Sequence, residues 1–241
     1  MKKMFMAVIA MMMTLSASAQ FYIYFSDGTV AKVDSISLVA PVDNTESYNG
    51  HGYVDLGLPS GLKWATCNIG ANTPEECGDY FAWGEVAPKE YYAWSTYKWC
   101  NGRDNTQTKY CTNGSYGTVD NKTVLEASDD AATVNWGGNW RMPTKEEQDE
   151  LREYCTWKWI YNVGYEVIGP NGNSIFLPIA GFRFEESLVT PSMVGLYLSS
   201  SLCTSYSPEA FYIGFSESGV DSYSNSRYWG YTIRPVVGVT L

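Results

Sequence analysis

Residues 136–151 read Trp-Gly-Gly-Asn-Trp-Arg-Met-Pro-Thr-Lys-Glu-Glu-Gln-Asp-Glu-Leu, and the fold is read outward from them. Gly137 and Gly138 admit a turn that residues carrying a Cβ resist. Pro143 pushes Met142 into an extended conformation, so the chain reaches Thr144 already leaving a strand. Thr144 and Glu147 have the spacing of a capping box, in which the hydroxyl accepts from the amide of residue 147 and the carboxylate reaches back to the amide of residue 144. Glu146, Glu147 and Asp149 suit the positive end of a helix dipole, and together these signals predict a helix over 144–155. Arg141, between Trp140 and Met142, is expected to be a paired structural arginine with its stem under that helix, and Arg234, just before Pro235, likewise. No catalytic group stands in the stretch.

Upstream, the chain opens Met-Lys-Lys, runs apolar and uncharged from Met4 to Leu15, and reaches Ala17-Ser18-Ala19. This pattern predicts a secretory signal peptide over residues 1–19, cleaved after Ala19. The apolar run is shorter than the roughly 20 residues a bilayer requires, so no transmembrane segment is expected in the mature chain. The protein is thus expected to be exported: periplasmic, on the outer surface, or secreted. Its formal charge is −10, and losing Lys2 and Lys3 with the leader takes it to −12. No cluster of Lys or Arg relieves that charge, which argues against nucleic acid as a partner.

An exported chain tolerates disulfides, and six cysteines stand at 67, 77, 100, 111, 155 and 203. Six thiols allow about 15 pairings. Cys100 with Cys111 is the first expectation, because Asn101 to Asn105 has the composition of a turn; reduced, buried thiols are the alternative for Cys67 and Cys155. There is no C-x-x-C pair, so a structural zinc site lacks its usual spacing.

Residues 20–40 read as a short β-hairpin segment, two strands over 21–25 and 30–33 around an Asp27-Gly28 turn. Residues 41–51 have turn formers and almost no apolar pattern, and read as a linker. The main domain then occupies 52–241. Extended pieces are expected at 53–56 and 62–66, with Trp64 inward, then at 156–161, 163–168, 174–178, 196–201, 210–215 and 228–237. A shorter helix is expected over 128–134, capped by Ser128 or Asp129. Residues 86–125 show no sustained period and read as a long surface excursion. The fold class is α+β: two helices flanking small antiparallel sheets with long loops.

Several segments of this domain resemble one known family. Gly52-Tyr-Val-Asp-Leu-Gly-Leu-Pro-Ser-Gly-Leu-Lys-Trp-Ala-Thr, Gly78-Asp-Tyr-Phe-Ala-Trp-Gly-Glu85, the opening of the 136–151 stretch, Gly169-Pro-Asn-Gly-Asn-Ser-Ile-Phe-Leu-Pro178 and Ile233-Arg-Pro-Val236 look like the signature segments of the Fibrobacter succinogenes major paralogous domain family, over about residues 52–238. The resemblance implies a C-type-lectin-like fold. It also implies a likeness to formylglycine-generating enzymes, which share that broad fold, although a shared fold does not carry activity with it.

The inventory narrows the chemistry. The lone histidine, His51, falls in the expected linker, which leaves Ser-His-Asp and Cys-His catalysis without parts inside the domain. No nucleotide-binding fingerprint appears. Glu85, Glu166, Glu185 and Glu186 are unranked candidates for a carboxylate pair. Cys203, followed by Thr204-Ser-Tyr, departs from the cysteine pair that the formylglycine-generating chemistry uses. No metal and no cofactor are expected. Recognition is best looked for around Ser222-Tyr-Ser-Asn-Ser-Arg-Tyr-Trp-Gly230, where Tyr, Ser, Asn and Trp give large rigid contacts with adaptable hydrogen bonding. The candidate ligand-binding residues are Tyr197, Tyr206, Tyr223, Asn225, Arg227, Tyr228 and Trp229, with Tyr228 and Trp229 readable instead as part of the core strand leading to Arg234. The resemblance points the same way, since C-terminal loops form the binding face in some proteins of C-type-lectin-like fold. The expected function is an exported, non-enzymatic binding or adhesion module for glycan or protein ligands at a bacterial cell surface. The alternatives are an oxidase-like enzyme of the formylglycine-generating type and a structural component of a surface assembly.

Overall fold

A computed structural model describes residues 21–24, 30–33, 46–190 and 193–238. The expected signal peptide, its cleavage site and the Asp27-Gly28 turn lie outside the described residues. The chain divides into two units, Met1–Asn44 and Thr45–Leu241. In the first, strands β1 (Phe21–Tyr24) and β2 (Val30–Val33) pair antiparallel, Phe21 opposite Val33.

The second unit begins earlier than the composition suggests. Residues 46–51, read as linker, belong to strands β3 (Glu46–Tyr48) and β4 (His51–Asp55), which pair as a hairpin. The cause is the Asn49-Gly50 dipeptide, with φ of 48° and 84°, the two-residue turn whose twist matches flanking strands. Strand β5 (Lys63–Ala65) follows, and Trp64 is buried as expected. Two helices come next, α1 (Ala131–Trp136) and, after the two-residue strand β6 (Trp140–Arg141), α2 (Lys145–Tyr154). Thr144 caps α2 in a full capping box with Glu147. The shorter helix starts later than expected because Asp130, not Ser128 or Asp129, accepts from the Thr133 amide at 2.9 Å.

Strands β7 (Thr156–Ile160), β8 (Gly164–Ile168) and β9 (Ser174–Pro178) make one antiparallel sheet. A small ribbon, β10 (Phe182–Phe184) with β11 (Ser187–Val189), leads to a second sheet of β12 (Gly195–Leu202), β13 (Glu209–Ser216) and β14 (Gly219–Ser226). The stretch 228–237, expected as one strand, is instead a chain of isolated bridges at Gly230, Tyr231 and Thr232, ending in β15 (Val236–Val237). Pro235 breaks its ladder, because it lacks the amide a strand needs. The last strand inserts between β5 and β6 in a five-stranded sheet of order β3-β4-β5-β15-β6, so the C-terminal segment is held against the 136–151 stretch.

The architecture is therefore α+β, small antiparallel sheets with two short helices. The opening stretch is pinned from several sides. Trp140 is buried and its indole Nε1 donates to Tyr48 O at 2.9 Å, while His51 stacks on Trp136 at 3.8 Å between centroids, 5° from parallel. Asp130 takes the Met142 amide as well as capping α1, tying that helix to the strand beside it. Arg141 pairs with Glu147 in two parallel bonds, the fork geometry of guanidinium on carboxylate.

Two further arginines are fully buried and touch no carboxylate. Arg234, 1% exposed, gives Nε to Asn68 Oδ1, Nη1 to the carbonyls of Ala65 and Thr66, and Nη2 to that of Phe176, at 2.7–3.0 Å. Burial holds its pKa below the usual guanidinium value. Arg227, equally buried, gives Nε to Tyr97 Oη, Nη1 to the carbonyls of Tyr110 and Ser207, and Nη2 to that of Lys109. Its guanidinium also lies 4.9 Å from the ring centre of Trp83. A guanidinium needs several acceptors once it leaves water, and backbone carbonyls supply them here. The excursion at 86–125 is consequently no loose surface loop, since Tyr92, Tyr97, Tyr110 and Cys111 are buried within it and Arg227 laces it to the second sheet.

Candidate functional site

The sheet of β12, β13 and β14 has two unlike faces. Side chains alternate along a strand, and the register pairs Tyr212 with Tyr223, Gly214 with Asp221 and Leu196 with Gly214, so these five share one face. The opposite face meets α2: Lys145 lies over the Phe211 ring at 5.4 Å, and Ser222 hydrogen-bonds Asp149. A two-residue turn at Glu217-Ser218, relieved by Gly219 at φ 138°, closes the β13–β14 hairpin and fixes that register.

On the other face, away from α2, Leu198 and Ala210 are buried in the core, and at the open end beyond them lies a groove of about 430 Å³, with Leu196, Tyr212, Gly214, Asp221 and Tyr223 in its wall and Ser216 and Ser218 at one end. Gly214 makes its floor. A Cβ there would meet the rings of Tyr212 and Tyr223, each at 3.1 Å, and Leu196 at 3.2 Å. The two tyrosine rings stand 5.8 Å apart at 31°, and Tyr223 is 50% exposed. Tyr212 is backed by Tyr231 at 4.9 Å, and burial together with the nearby Tyr223 pushes the Tyr212 hydroxyl above its ordinary pKa, keeping it a neutral donor. Asp221 accepts from the Ser222 amide through Oδ1, and Arg152 Nη1 stands 3.5 Å from the same atom, leaving Oδ2 without a partner among the described residues. Flat aromatic walls, an apolar floor and a few convergent oxygens are the ingredients of a small-molecule binding cleft.

The sequence candidates scatter around this groove. Tyr223 is in its wall, and Asn225 follows on the same face of β14, which is a strand and not the loop read from its composition. Tyr197 is 1% exposed, stacks on Phe215 and donates to Pro178 O at 2.8 Å, so it is core. Arg227 is the buried staple described above, because the chain turns inward directly after β14 and meets acceptors there. Trp229, half-buried, stacks on Phe182 at 4.8 Å in the hydrophobic cluster that also takes in Tyr212 and Leu196, while Tyr228, also half-buried, packs edge-on against Trp94 at 4.9 Å in another cluster. Tyr206 pairs with Tyr116, away from the others. Tyr212, Gly214, Leu196 and Asp221 escaped the sequence reading. The available signal was Gly214 alone inside a strand, a position where another group often approaches the backbone closely.

Other expected chemistry is dispersed. His51 lies on β4, not in a linker, and burial against Trp136 lowers its pKa. Glu85 is committed to Lys89 at 2.9 Å and to the Lys98 amide. All six cysteines are unbridged. Cys100 and Cys111 do not pair, because the 101–105 turn closes on a bridge between Cys100 and Gln107, and each sulfur takes its own carbonyl, Trp94 O and Asn113 O. Burial pushes the Cys155 thiol up to about 11, which leaves little thiolate at neutral pH. Among the described residues no group of three or more His, Cys, Asp or Glu is placed to hold a metal ion, and no helix is long and apolar enough to cross a membrane. Compared with family models, curated proteins and solved structures, the chain gives no match.

Proposed function

We propose that this chain is an exported, non-enzymatic binding or adhesion module of C-type-lectin-like architecture, and that it holds a glycan in the groove between Tyr212 and Tyr223. The observation that carries the reading is the Gly214 floor: two rings and a leucine close over a backbone position so nearly that a Cβ there would press on all three and shift the groove's walls. A pyranose presents an apolar face of C–H groups and an edge of hydroxyls. The face lies against the Tyr223 ring, and the hydroxyls meet Asp221 Oδ2 and the serines at the groove's end, where bonds to a carboxylate are the stronger kind. The acidic wall and the acidic chain disfavour sulfated or uronic sugars and favour neutral or amino sugars. The leader-like sequence pattern at 1–19 supports export, and the motif resemblance over 52–238 supports the lectin-like architecture.

A glycan array probed with the purified chain tests the proposal. Binding to neutral or amino sugars is expected, lost in Tyr223→Ala and in Gly214→Val. Absence of glycan binding, or binding that survives both substitutions, would contradict it.

A further inference from the structure

A second groove, of about 400 Å³, lies on the outer face of the other three-stranded sheet, and its chemistry differs from the first. The register sets Lys158 opposite Glu166 and Glu166 opposite Phe176, so these three share the face away from Trp157, Trp159 and Tyr165, which pack inward. Ile160, Glu166 and Phe176 line the groove from the sheet, and Pro74 and Glu75 close it from a neighbouring loop. Val54, Thr66, Ser174 and Ile175 complete the lining, so the walls mix apolar side chains with two hydroxyls and with carboxylates from two different segments. Beyond Ile160, the β7–β8 turn leaves Tyr161 70% exposed and Val163 42% exposed.

We propose that this groove docks a basic peptide segment, taking a lysine or arginine side chain with its aliphatic stem along Phe176, Ile160 and Pro74 and its charged head between Glu75 and Glu166. A long cationic side chain divides in the way the groove does, apolar along its length and charged at its tip. The chain's charge of −10 draws such a partner in over distance. Glu166 is at present paired with Lys158 at 2.8 Å, in an ion pair whose lysine is 64% exposed. Exposed pairs of this kind hold weakly. A ligand cation that is partly desolvated on Phe176 therefore displaces Lys158, which acts as an internal competitor for the carboxylate. This site stands apart from the glycan groove, and either can fail without the other.

The test titrates the isotope-labelled chain with the peptide acetyl-Lys-Leu-Lys-Leu-Lys-amide and with its glutamate counterpart, following backbone amide shifts. The basic peptide is expected to move Lys158, Glu166 and Phe176, and the acidic one to move none of them. Glu75→Gln with Glu166→Gln should weaken binding about tenfold. Lys158→Ala should instead tighten it by about threefold, a gain that damage to the fold would not produce. Shifts confined to Tyr212–Tyr223, equal response to the acidic peptide, no response to either, or unchanged affinity in the Lys158→Ala chain would each overturn the proposal. Because the peptide comparison uses the unmodified chain, it stands even where the double variant fails to fold.

Discussion

The two buried arginines and the groove over Gly214 use the same sheets in opposite ways. Arg234 and Arg227 sit where strands, loops and the excursion meet, and each makes four hydrogen bonds to carbonyls and a side-chain oxygen. Around Gly214 the reverse holds, since Tyr223 is half exposed and Asp221 Oδ2 has no partner among the described residues. The difference teaches how this chain divides labour: well-bonded polar nodes fix the frame, and open surface is left at the end of the β12–β14 face that neither α2 nor the core covers. Substitution in the first region should cost stability, and in the second, binding.

The largest effect is expected at Arg234. Arg234→Met leaves four buried oxygens without donors, and should destabilise the fold by about 3–5 kcal/mol, measured by urea unfolding. Arg227→Met comes next, at about 3 kcal/mol, and its effect should concentrate in the excursion. Hydrogen exchange at Tyr97–Tyr110 would rise well before exchange in the five-stranded sheet; a uniform rise would break the idea that Arg227 laces that segment down. Thr144→Ala removes the hydroxyl half of the capping box and should cost about 1 kcal/mol.

A subtler test uses Asp129 and Asp130, adjacent in sequence and buried, with opposite shifts. Burial raises the pKa of Asp130, and the amide and hydroxyl donors around it do not offset that. Burial acts upward on Asp129 too, but hydrogen bonds from Lys109 and Tyr110 outweigh it and hold that carboxyl below its ordinary value. By linkage, Asp129 contributes stability that is present above its unfolded pKa and is lost as pH falls through its lower folded value. Asp130 contributes stability that is present below its unfolded pKa and is lost as pH rises through its raised folded value. Melting temperatures from acid to neutral pH should therefore show Asp129→Asn losing its advantage of neutral pH, and Asp130→Asn declining less than the parent as pH rises. The same slope in both variants would show that their surroundings do not differ as described.

How much of this was legible follows the same division. The capping box at Thr144 and Glu147, the inward Trp64 and the structural pairing of Arg141 were readable because they depend on neighbours in sequence. The Asn49-Gly50 hairpin was equally local, but the surrounding polar residues hid it in an apparent linker. Composition misled at Arg227 and Tyr197: both are residue types suited to binding, yet long-range acceptors at Tyr110, Ser207 and Pro178 draw them inside. The groove was illegible for a similar reason. Tyr212 and Tyr223 become one site only through strand register, which no local pattern announces.

The smallest effect on stability and the largest on binding belong to Tyr223. Calorimetric titration of the parent chain and Tyr223→Ala with the strongest sugar from the array measures the division of labour directly. Affinity should fall at least about tenfold, a loss of about 1.4 kcal/mol, with a melting temperature essentially unchanged. Retained affinity in the variant, or a loss of binding that tracks a loss of folding, would contradict it.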